Sequence, residues 1–262
     1  MISTIRIRYA AESDTGFKRE NNEDAFRIEK STCGNDSPGN GGILFAVADG
    51  MGGHACGEIA SEMACKGVEG ILNECDERPE VFQRRLIERF HTIDDRIRAH
   101  SMLVPSCAHM GTTLSTIAIF GATAVIAHVG DTRIYHLRGG SLTLLTTDHT
   151  FVQEMLDEGE LTPEEAASHP FRNMLTGVIG TEEPLEQVDT RRFDLAPGDR
   201  FLLCSDGLHD AVSFGEVEEI LRENTDPDDA VRRLISLALD RGGKDNITVI
   251  VVHISQTAGK TS

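Results

Sequence analysis

The chain has 262 residues, of which 39% are apolar and 26% charged, a composition typical of a globular protein. Its 25 basic and 43 acidic residues give a formal net charge of −18, which argues against binding nucleic acid or an anionic membrane through a broad basic face. No segment is long and apolar enough to cross a membrane, and the amino terminus predicts a strand instead of a secretion signal. We therefore expect a cytoplasmic protein.

Strands are predicted wherever short runs of Val, Ile, Leu and Phe are bounded by turn residues. Gly121-Ala122 separates two of these runs and Arg138-Gly139-Gly140-Ser141 separates two more, and such short turns indicate antiparallel hairpins. The predicted strands lie near residues 5–12, 24–29, 43–48, 112–119, 123–130, 133–138, 141–145, 187–193, 200–205 and 247–254.

Helices are predicted at residues 57–73, 79–100 and 227–240. The second has Pro79 in its first turn and apolar residues at spacings of three and four, and the third follows Asp226 as a capping residue. Because strands and helices segregate in blocks, we expect an α+β layered sandwich. The length fits one domain over residues 1–262.

Two segments are expected to lie outside the sheets. Residues 30–42 are rich in Gly, Ser, Asn and Pro, which predicts a loop. Residues 148–183 carry helical periodicity and a Thr-Pro-Glu-Glu helix start between two sheet-like halves, which favours a helical flap. A helical insertion that serves only packing would have the same pattern, so both interpretations stay open.

The six cysteines contain no C-x-x-C pair and no zinc-finger spacing. In a cytoplasmic protein this pattern predicts reduced thiols, mostly buried. They are Cys33, Cys56, Cys65, Cys75, Cys107 and Cys204.

Four widely separated aspartates, Asp49, Asp131, Asp206 and Asp245, each stand at the edge of an apolar run beside Gly or Asn. The runs are ILFAVADGMGG, AVIAHVGDTRIY, RFLLCSDGL and GGKDNITVIVV. Acids at strand ends lie at the rim of a sheet, where carboxylates can converge, and hard oxygen donors suit Mg²⁺ or Mn²⁺. Any one Asp could simply cap a turn, but the fourfold repetition favours a cation site.

The segment GFKRENNEDAF adds Arg19 and Glu23 to the candidates. The planar guanidinium of Arg matches phosphate oxygens, and Glu23 could provide a further metal oxygen. A solvated polar entry into a strand would have the same composition. The glycines after Asp49 allow close approach of the backbone, so the carbonyl of Gly50 is a candidate ligand as well.

Seven motifs, in this order along the chain, resemble those of the metal-dependent protein phosphatase family, protein phosphatase 2C type, and most closely its bacterial serine/threonine branch. They are ESDTGFKRENNEDAF, FAVADGMGGHACGEIAS, GTTLSTIAI, AHVGDTRIYHL, LTTDHTFVQEMLDEGELTPEEA, LLCSDGLHD and GGKDNITVIVV. The likeness runs from about residue 8 to 254, and the ordered set is more specific than any one motif. It implies a four-layer α-β-β-α sandwich of two antiparallel sheets with a binuclear metal centre at one end.

The resemblance also implies a role for each acid of this centre. Asp49 would bridge two Mn²⁺ or Mg²⁺ ions, with the Gly50 carbonyl on the first ion and Asp206 and Asp245 on the second. The implied reaction is hydrolysis of phosphoserine or phosphothreonine by direct attack of a metal-bridging hydroxide.

Three further residues receive roles from the resemblance. Glu23 would be an additional carboxylate near the metals, Asp131 a ligand of a third and more weakly held ion, and Arg19 the catalytic residue that binds the substrate phosphate. The expected partners are phosphorylated proteins, including a cognate serine/threonine kinase and its substrates, with the chain as a monomer. A phosphoprotein-binding scaffold without turnover is the alternative, and the retention of the metal acids favours the enzyme.

The chain departs from the family pattern at two positions. Met51 stands where eukaryotic members carry a histidine. Bacterial members commonly have methionine there, and the general acid is left unassigned. His54 is one candidate, although a histidine at a loop-to-helix junction is often a local hydrogen-bonding residue. Gly177 stands where bacterial members often have arginine, so contacts near the flap are in doubt.

Overall fold

The computed structural model describes residues 5–31, 42–51, 56–73 and 78–256. In these ranges the strands are β1 (Ile5–Asp14), β2 (Asp24–Lys30), β3 (Ile43–Met51), β4 (Gly111–Thr112), β5 (Leu114–Phe120), β6 (Thr123–Val129), β7 (Arg133–Arg138), β8 (Ser141–Leu144), β9 (Asp189–Asp194), β10 (Arg200–Cys204) and β11 (Ile247–Gln256).

The strands form two antiparallel sheets. The first has the order β1-β11-β10-β7-β8 and the second the order β2-β3-β5-β6-β9, with β4 paired to the end of β3. Strands β5 and β6 pair from Phe120 opposite Thr123, and β7 and β8 from Arg138 opposite Ser141. Both predicted hairpins are therefore confirmed. They could be predicted because a two-residue turn fixes the register of the strands that it joins.

The α-helices of the described ranges are α1 (Gly57–Gly67), α2 (Pro79–Leu103), α3 (Phe151–Asp157), α4 (Pro163–Ala167), α5 (Asp206–His209), α6 (Phe214–Glu223) and α7 (Pro227–Asp240). Helices α1 and α2 cover the second sheet, and α5 to α7 cover the first. None of them is both long and apolar enough to cross a membrane.

Strand β3 shows why the layers form. Leu44 and Ala46 face the helices of the second sheet, whereas Phe45 and Val47 face the opposite sheet, because successive side chains of a strand point to opposite sides. Both sides of β3 are thus buried. Three apolar cores result, one between the sheets and one beneath each helical layer. The predicted α+β, four-layer α-β-β-α sandwich is confirmed.

The helix predictions were right in position and partly wrong in length. The first helix ends at Gly67 instead of residue 73, since Gly70 has a φ of +80°, and a 3-10 turn follows at Ile71–Asn73. Helix α6 was not predicted, although it begins with a capping box. The Ser213 hydroxyl accepts from the N–H of Glu216, and the Glu216 carboxylate accepts from the N–H of Ser213 at 3.0 Å.

The flap segment, residues 148–183, contains α3 and α4. The predicted start of α4 is confirmed, since Thr162 and Glu165 form a capping box there. The segment is tied back to the sheets near its end, where Thr112 and Ile179 exchange two backbone hydrogen bonds of 2.9 Å. The loop predicted at residues 30–42 lies outside the described residues except at its two ends.

The prediction of reduced thiols was wrong for two cysteines. Cys56 and Cys107, 51 residues apart in the sequence, form a disulfide with their Cα atoms 5.4 Å apart. Sequence spacing gave no sign of this, because the pairing depends on how α1 and the turn at Pro105–Cys107 pack on each other. Cys65 and Cys204 are buried free thiols, as expected. Cys33 and Cys75 lie outside the described residues.

Candidate metal centre and active site

Asp49 lies near the end of β3, opposite Asp24 of the neighbouring strand β2. Its backbone N–H donates to the hydroxyl of Thr113 at 2.9 Å. Its carbonyl accepts from the N–H of Thr113 and from the hydroxyl of Thr112, both also at 2.9 Å. Three hydrogen bonds thus hold the main chain at Asp49, so the direction in which its carboxylate leaves the strand is set by the sheet.

Gly50, Gly57 and Glu23 are packed with no room for side chains on the glycines. The Gly50 N–H donates to the Glu23 carbonyl at 3.0 Å. A β-carbon on Gly50 would lie 2.0 Å from the Gly57 carbonyl oxygen, and one on Gly57 would lie 2.7 Å from a carboxylate oxygen of Glu23. The close backbone approach predicted at Gly50 therefore occurs, against both α1 and Glu23.

Arg19 and Asp245 form an ion pair across 226 residues of sequence. The Nη2 of Arg19 donates to Oδ2 of Asp245 at 2.7 Å, and this hydrogen bond raises the pKa of the guanidinium. Both side chains remain partly accessible to solvent, since that of Arg19 is 50% exposed and that of Asp245 31%. The phosphate-binding candidate and one metal-binding candidate are therefore in direct contact.

Asn246 holds the segment that carries Arg19. Its side-chain amide donates to the carbonyls of Thr15 and Asn21, both at 2.9 Å, and its side-chain oxygen accepts from the N–H of Glu23 at 2.8 Å. Three points of the segment between β1 and β2 are thus fixed by one buried side chain.

Asp206 begins α5, immediately after Ser205. The Ser205 hydroxyl donates to Oδ2 of Asp24 at 2.6 Å and accepts from the N–H of Thr248 at 3.0 Å. The remaining Oδ1 of Asp24 and Oδ1 of Asp206 are buried, and within the described ranges neither has a hydrogen-bond partner. Buried oxygens of this kind are rare unless another group serves them, so these two mark a place for a cation or a donor.

Burial and mutual repulsion raise the pKa values of these acids. The pKa of Asp49 is raised well above its usual value by burial, and further by Asp24 and Asp206. Burial also raises the pKa of Asp206 well above its usual value, with added repulsion from Asp131 and Asp245. The four aspartates predicted from strand ends therefore act on one another electrostatically, as carboxylates gathered at one rim do.

Asp131 is 8% exposed, and its carbonyl accepts from Nε2 of His209 at 3.1 Å. Burial and then repulsion from Asp148 raise the pKa of its carboxyl to about 7. The positive charge of Arg133 opposes this increase. The same guanidinium donates to both carboxylate oxygens of Asp148, at 3.0 Å to Oδ1 and 2.6 Å to Oδ2.

Asp24 is a further acid of this rim, with a buried Oδ1, and it was not among the predicted site residues. Burial raises its pKa to about 6, while the hydrogen bonds from Ser205 and Thr248 oppose the increase. Burial also raises the pKa of Glu23, and the positive charge of Arg19 opposes that increase. Asp24 directly follows Glu23 in the run NNEDAF, so its position next to a candidate ligand was visible in the sequence. Adjacent residues of a strand point to opposite faces, however, and this argued against placing both acids in one site.

The acids converge without forming a compact ligand cage. In the part of the chain that the structure describes, no three His, Cys, Asp or Glu side chains are arranged to hold a metal ion by themselves. Met51 ends β3 with its side chain 40% exposed, and His54 lies outside the described residues.

Gly177 packs directly against His149. A β-carbon at this position would lie 2.6 Å from Nδ1 of His149. The same Nδ1 accepts from the N–H of Gly130 at 3.3 Å, and Nε2 lies 3.3 Å from a carboxylate oxygen of Asp189. His149 therefore fills the space that a side chain at position 177 would need to enter.

Comparison with known proteins agrees with the motif order. The family model described as Protein phosphatase 2C matches residues 18–247. The serine/threonine protein phosphatase PstP of Mycobacterium tuberculosis is 40% identical over 251 residues, which are 96% of this chain and 46% of PstP. The chain thus spans about half the length of that relative.

Two solved structures share the fold along nearly their whole length. The serine/threonine phosphatase of S. agalactiae has a TM-score of 0.87 at 35% identity, with 95% of this chain and 99% of that chain covered. The catalytic domain of PstP, solved in complex with two manganese ions, has a TM-score of 0.81 at 36% identity, with 96% and 100% covered. From its motifs, its fold and its matched residues, the chain belongs to the protein phosphatase 2C family.

Proposed function

We propose that this chain is a metal-dependent phosphoprotein phosphatase that hydrolyses phosphoserine and phosphothreonine. The observation that carries the proposal is the meeting of buried, mutually repelling carboxylates with the Arg19 guanidinium at one end of the sandwich. The relatives named serine/threonine phosphatases support the same reaction class. We further propose that residues 1–262 act as a single catalytic domain, monomeric and cytoplasmic, on phosphorylated proteins and against a bacterial serine/threonine kinase.

The donor set fits Mn²⁺ or Mg²⁺. All its members are hard oxygen donors. The buried Oδ1 of Asp206, which has no hydrogen-bond partner within the described ranges, is an acceptor that a cation would satisfy. We assign Asp49, the Gly50 carbonyl, Asp206 and Asp245 to two catalytic ions.

Two further acids complete the proposed donor set. We assign Glu23 to a supporting position and Asp131 to a third ion. When bound, the ions would supply Lewis acidity toward the phosphoryl oxygens and activate a water molecule as the nucleophile.

Arg19 binds and orients the phosphoryl group in this proposal. Its side chain is half exposed, and its bond to Asp245 uses Nη2, which leaves other N–H groups of the planar fork to face phosphate oxygens. Asn246 fixes the segment on both sides of Arg19, at Thr15 and at Asn21, so little conformational freedom is lost when the phosphate is held. Met51 has a thioether with no proton to give, so the leaving oxygen must receive its proton from another group.

The scaffold alternative shares the fold and differs in turnover. It is disfavoured because Asp49, Asp206 and Asp245 are all present, whereas a chain that only binds phosphoproteins has no need of buried carboxylates that repel one another.

Hydrolysis of a phosphothreonine peptide tests the proposal, with and without Mn²⁺, in the wild type, in Asp206→Ala and in Asp240→Ala. Asp240 is an exposed acid at the end of α7 and is the matched control. We expect turnover that requires Mn²⁺, a loss of at least about 100-fold in Asp206→Ala, and wild-type turnover in the control. Calorimetric titration with Mn²⁺ provides a second readout, and Asp206→Ala should bind fewer or weaker ions.

Turnover without metal, or an active Asp206→Ala enzyme, would refute the mechanism. Binding of Mn²⁺ and of the phosphopeptide without turnover would favour the scaffold.

A further inference from the structure

A cavity of about 410 Å³ opens beside the proposed reaction centre, between the flap, α5 and the turn after α7. Asp206 and Asp245, two of the proposed metal ligands, lie in its wall. Three basic side chains from separate parts of the chain line the same cavity. They are Arg172 of the flap, Arg241 after α7, and Lys244 of the following turn.

Two of these three cations form no ion pair with the residues that the structure describes. Arg241 is already committed, since its guanidinium donates to both carboxylate oxygens of Glu216 and to the carbonyl of Ala211. Arg172 and Lys244 are exposed, and neither side chain has an ion-pair or hydrogen-bond partner among the residues that the structure describes. Their charges are therefore available to a ligand that enters the cavity.

The turn that carries Lys244 is held in place. The N–H groups of Gly242 and Gly243 donate to carbonyls in the last turn of α7, at 2.8 and 3.2 Å, and the Gly243 carbonyl accepts from the N–H of Phe17 at 2.7 Å. Gly243 has a φ of +49°, a conformation that favours glycine. Lys244 also directly precedes Asp245, the partner of Arg19, so its Cα lies about 3.8 Å from the Cα of Asp245.

We propose that this cavity, through Arg172 and Lys244, binds a second anionic side chain of the phosphoprotein, close in sequence to the phosphorylated residue. The inference rests on the proposed function and adds the substrate class, namely phosphorylated segments with an acidic or a second phosphorylated residue nearby. The chain carries a formal net charge of −18, so its long-range field repels anionic segments. The positive charges of Arg172 and Lys244 would offset this repulsion at short range, inside the cavity.

The carboxylates of the cavity do not cancel the two cations. Asp245 is paired with Arg19, and Asp206 is a proposed metal ligand. Asp210 is the remaining acid in the wall. Its negative charge should weaken the binding of an anionic side chain in the cavity, so its removal should strengthen the preference for anionic substrates.

The test compares three phosphothreonine peptides of one sequence, with Gln, Glu or a second phosphothreonine two residues away, at saturating Mn²⁺. We expect kcat/KM for the two anionic peptides to exceed that for the Gln peptide by about tenfold in the wild type, mainly through KM, since each exposed ion pair contributes about threefold. The preference should fall to about threefold in Arg172→Gln or Lys244→Gln and vanish in the double variant. Arg172→Lys with Lys244→Arg should restore it, and Asp210→Asn should increase it.

The control is Arg84→Gln, an exposed arginine on α2 in the opposite helical layer, which should keep the wild-type preference. The preference should also disappear at about 1 M NaCl, where charges are screened within about 3 Å.

A second measurement separates this inference from the proposed function. Calorimetry with the same peptides, each carrying a non-hydrolysable phosphonate, reports affinity whether or not turnover occurs. Equal affinity and equal kcat/KM for the Gln and Glu peptides would overturn the subsite and leave the phosphatase intact. No turnover, with tighter binding of the anionic peptides that Arg172→Gln weakens, would overturn the phosphatase and retain the subsite. A preference that survives in the double variant would place the subsite elsewhere.

Discussion

Removing the Cys56–Cys107 disulfide should destabilise the chain by a calculable amount. The bond closes a loop of 51 residues, so breaking it returns entropy to the unfolded chain. The loop-closure relation gives about 14 cal/mol/K for this length, or about 4 kcal/mol at 25 °C. For a chain of this size that corresponds to a fall in Tm of roughly 8–16 °C.

The conformation of Cys56 modifies the expected value. Cys56 precedes α1 with a φ of +101°, a region that costs a side chain about 1–2 kcal/mol relative to glycine. We therefore expect Cys56→Ser with Cys107→Ser to lose about 4 kcal/mol, and Cys56→Gly with Cys107→Ser to lose about 1 kcal/mol less.

Urea denaturation followed by circular dichroism, with and without a reducing agent, measures both effects. Reductant should lower the free energy of unfolding of the wild type to that of the Ser/Ser variant and should leave the variant itself unchanged. Cys65→Ala removes a buried free thiol and is the control, since it should keep the wild-type response to reductant. Peptide mapping without reduction should recover Cys56 and Cys107 in one linked peptide. Recovery of both as free thiols, or equal stability of wild type and Ser/Ser variant without reductant, would refute the reasoning.

Three further changes test other contacts. Asp94→Ala should cost about 3 kcal/mol in urea denaturation, because this buried carboxylate accepts from two backbone N–H groups at 2.7 and 3.1 Å that would lose their partner; a cost below about 1 kcal/mol would contradict this. His128 has a pKa lowered to about 4, chiefly by burial, so it stays neutral while the unfolded chain binds a proton below about pH 6.5. The wild type should therefore lose about 2 kcal/mol between pH 7.5 and 5 that His128→Gln does not lose, and identical pH slopes would exclude His128 as the cause. Gly177→Ala should destabilise by about 1–3 kcal/mol through its clash with His149, whereas Gly215→Ala, at a helical position with open space, should be neutral or stabilising in the same Tm assay.

The fold was predictable where local pattern determines it. The hairpins at Gly121-Ala122 and Gly139-Gly140 were found because a turn of two residues fixes the pairing of the strands on either side. Helix α6 was missed although its capping box is equally local, so a search for Ser-x-x-Glu before an apolar run would have found it. The Cys56–Cys107 bond has no local signal, since it depends on the packing of two segments against each other.

The site was predictable as a set of residue types at strand ends and not as a set of contacts. Asp49 and Asp206 could be named because a polar acid next to a buried apolar run is conspicuous in sequence. The Arg19 to Asp245 pair and the buried oxygen of Asp24 depend on distances across the sandwich. No periodicity carries that information, and the family resemblance assigned separate roles to Arg19 and Asp245 and none to Asp24.

The hydrogen bonds of Asn246 bear on when during folding the site can exist. They join segments 223 to 231 residues apart, and β11, which begins directly after Asn246, pairs with β1 along its whole length. Contacts of such high sequence separation form late, because the entropy of closing a long loop must be overcome first. The arm that carries Arg19 would therefore stay unanchored in every partly folded or still growing chain that lacks β11. Activity would then appear only once β11 has paired with β1, so a nascent chain that lacks β11 could not act on phosphoproteins.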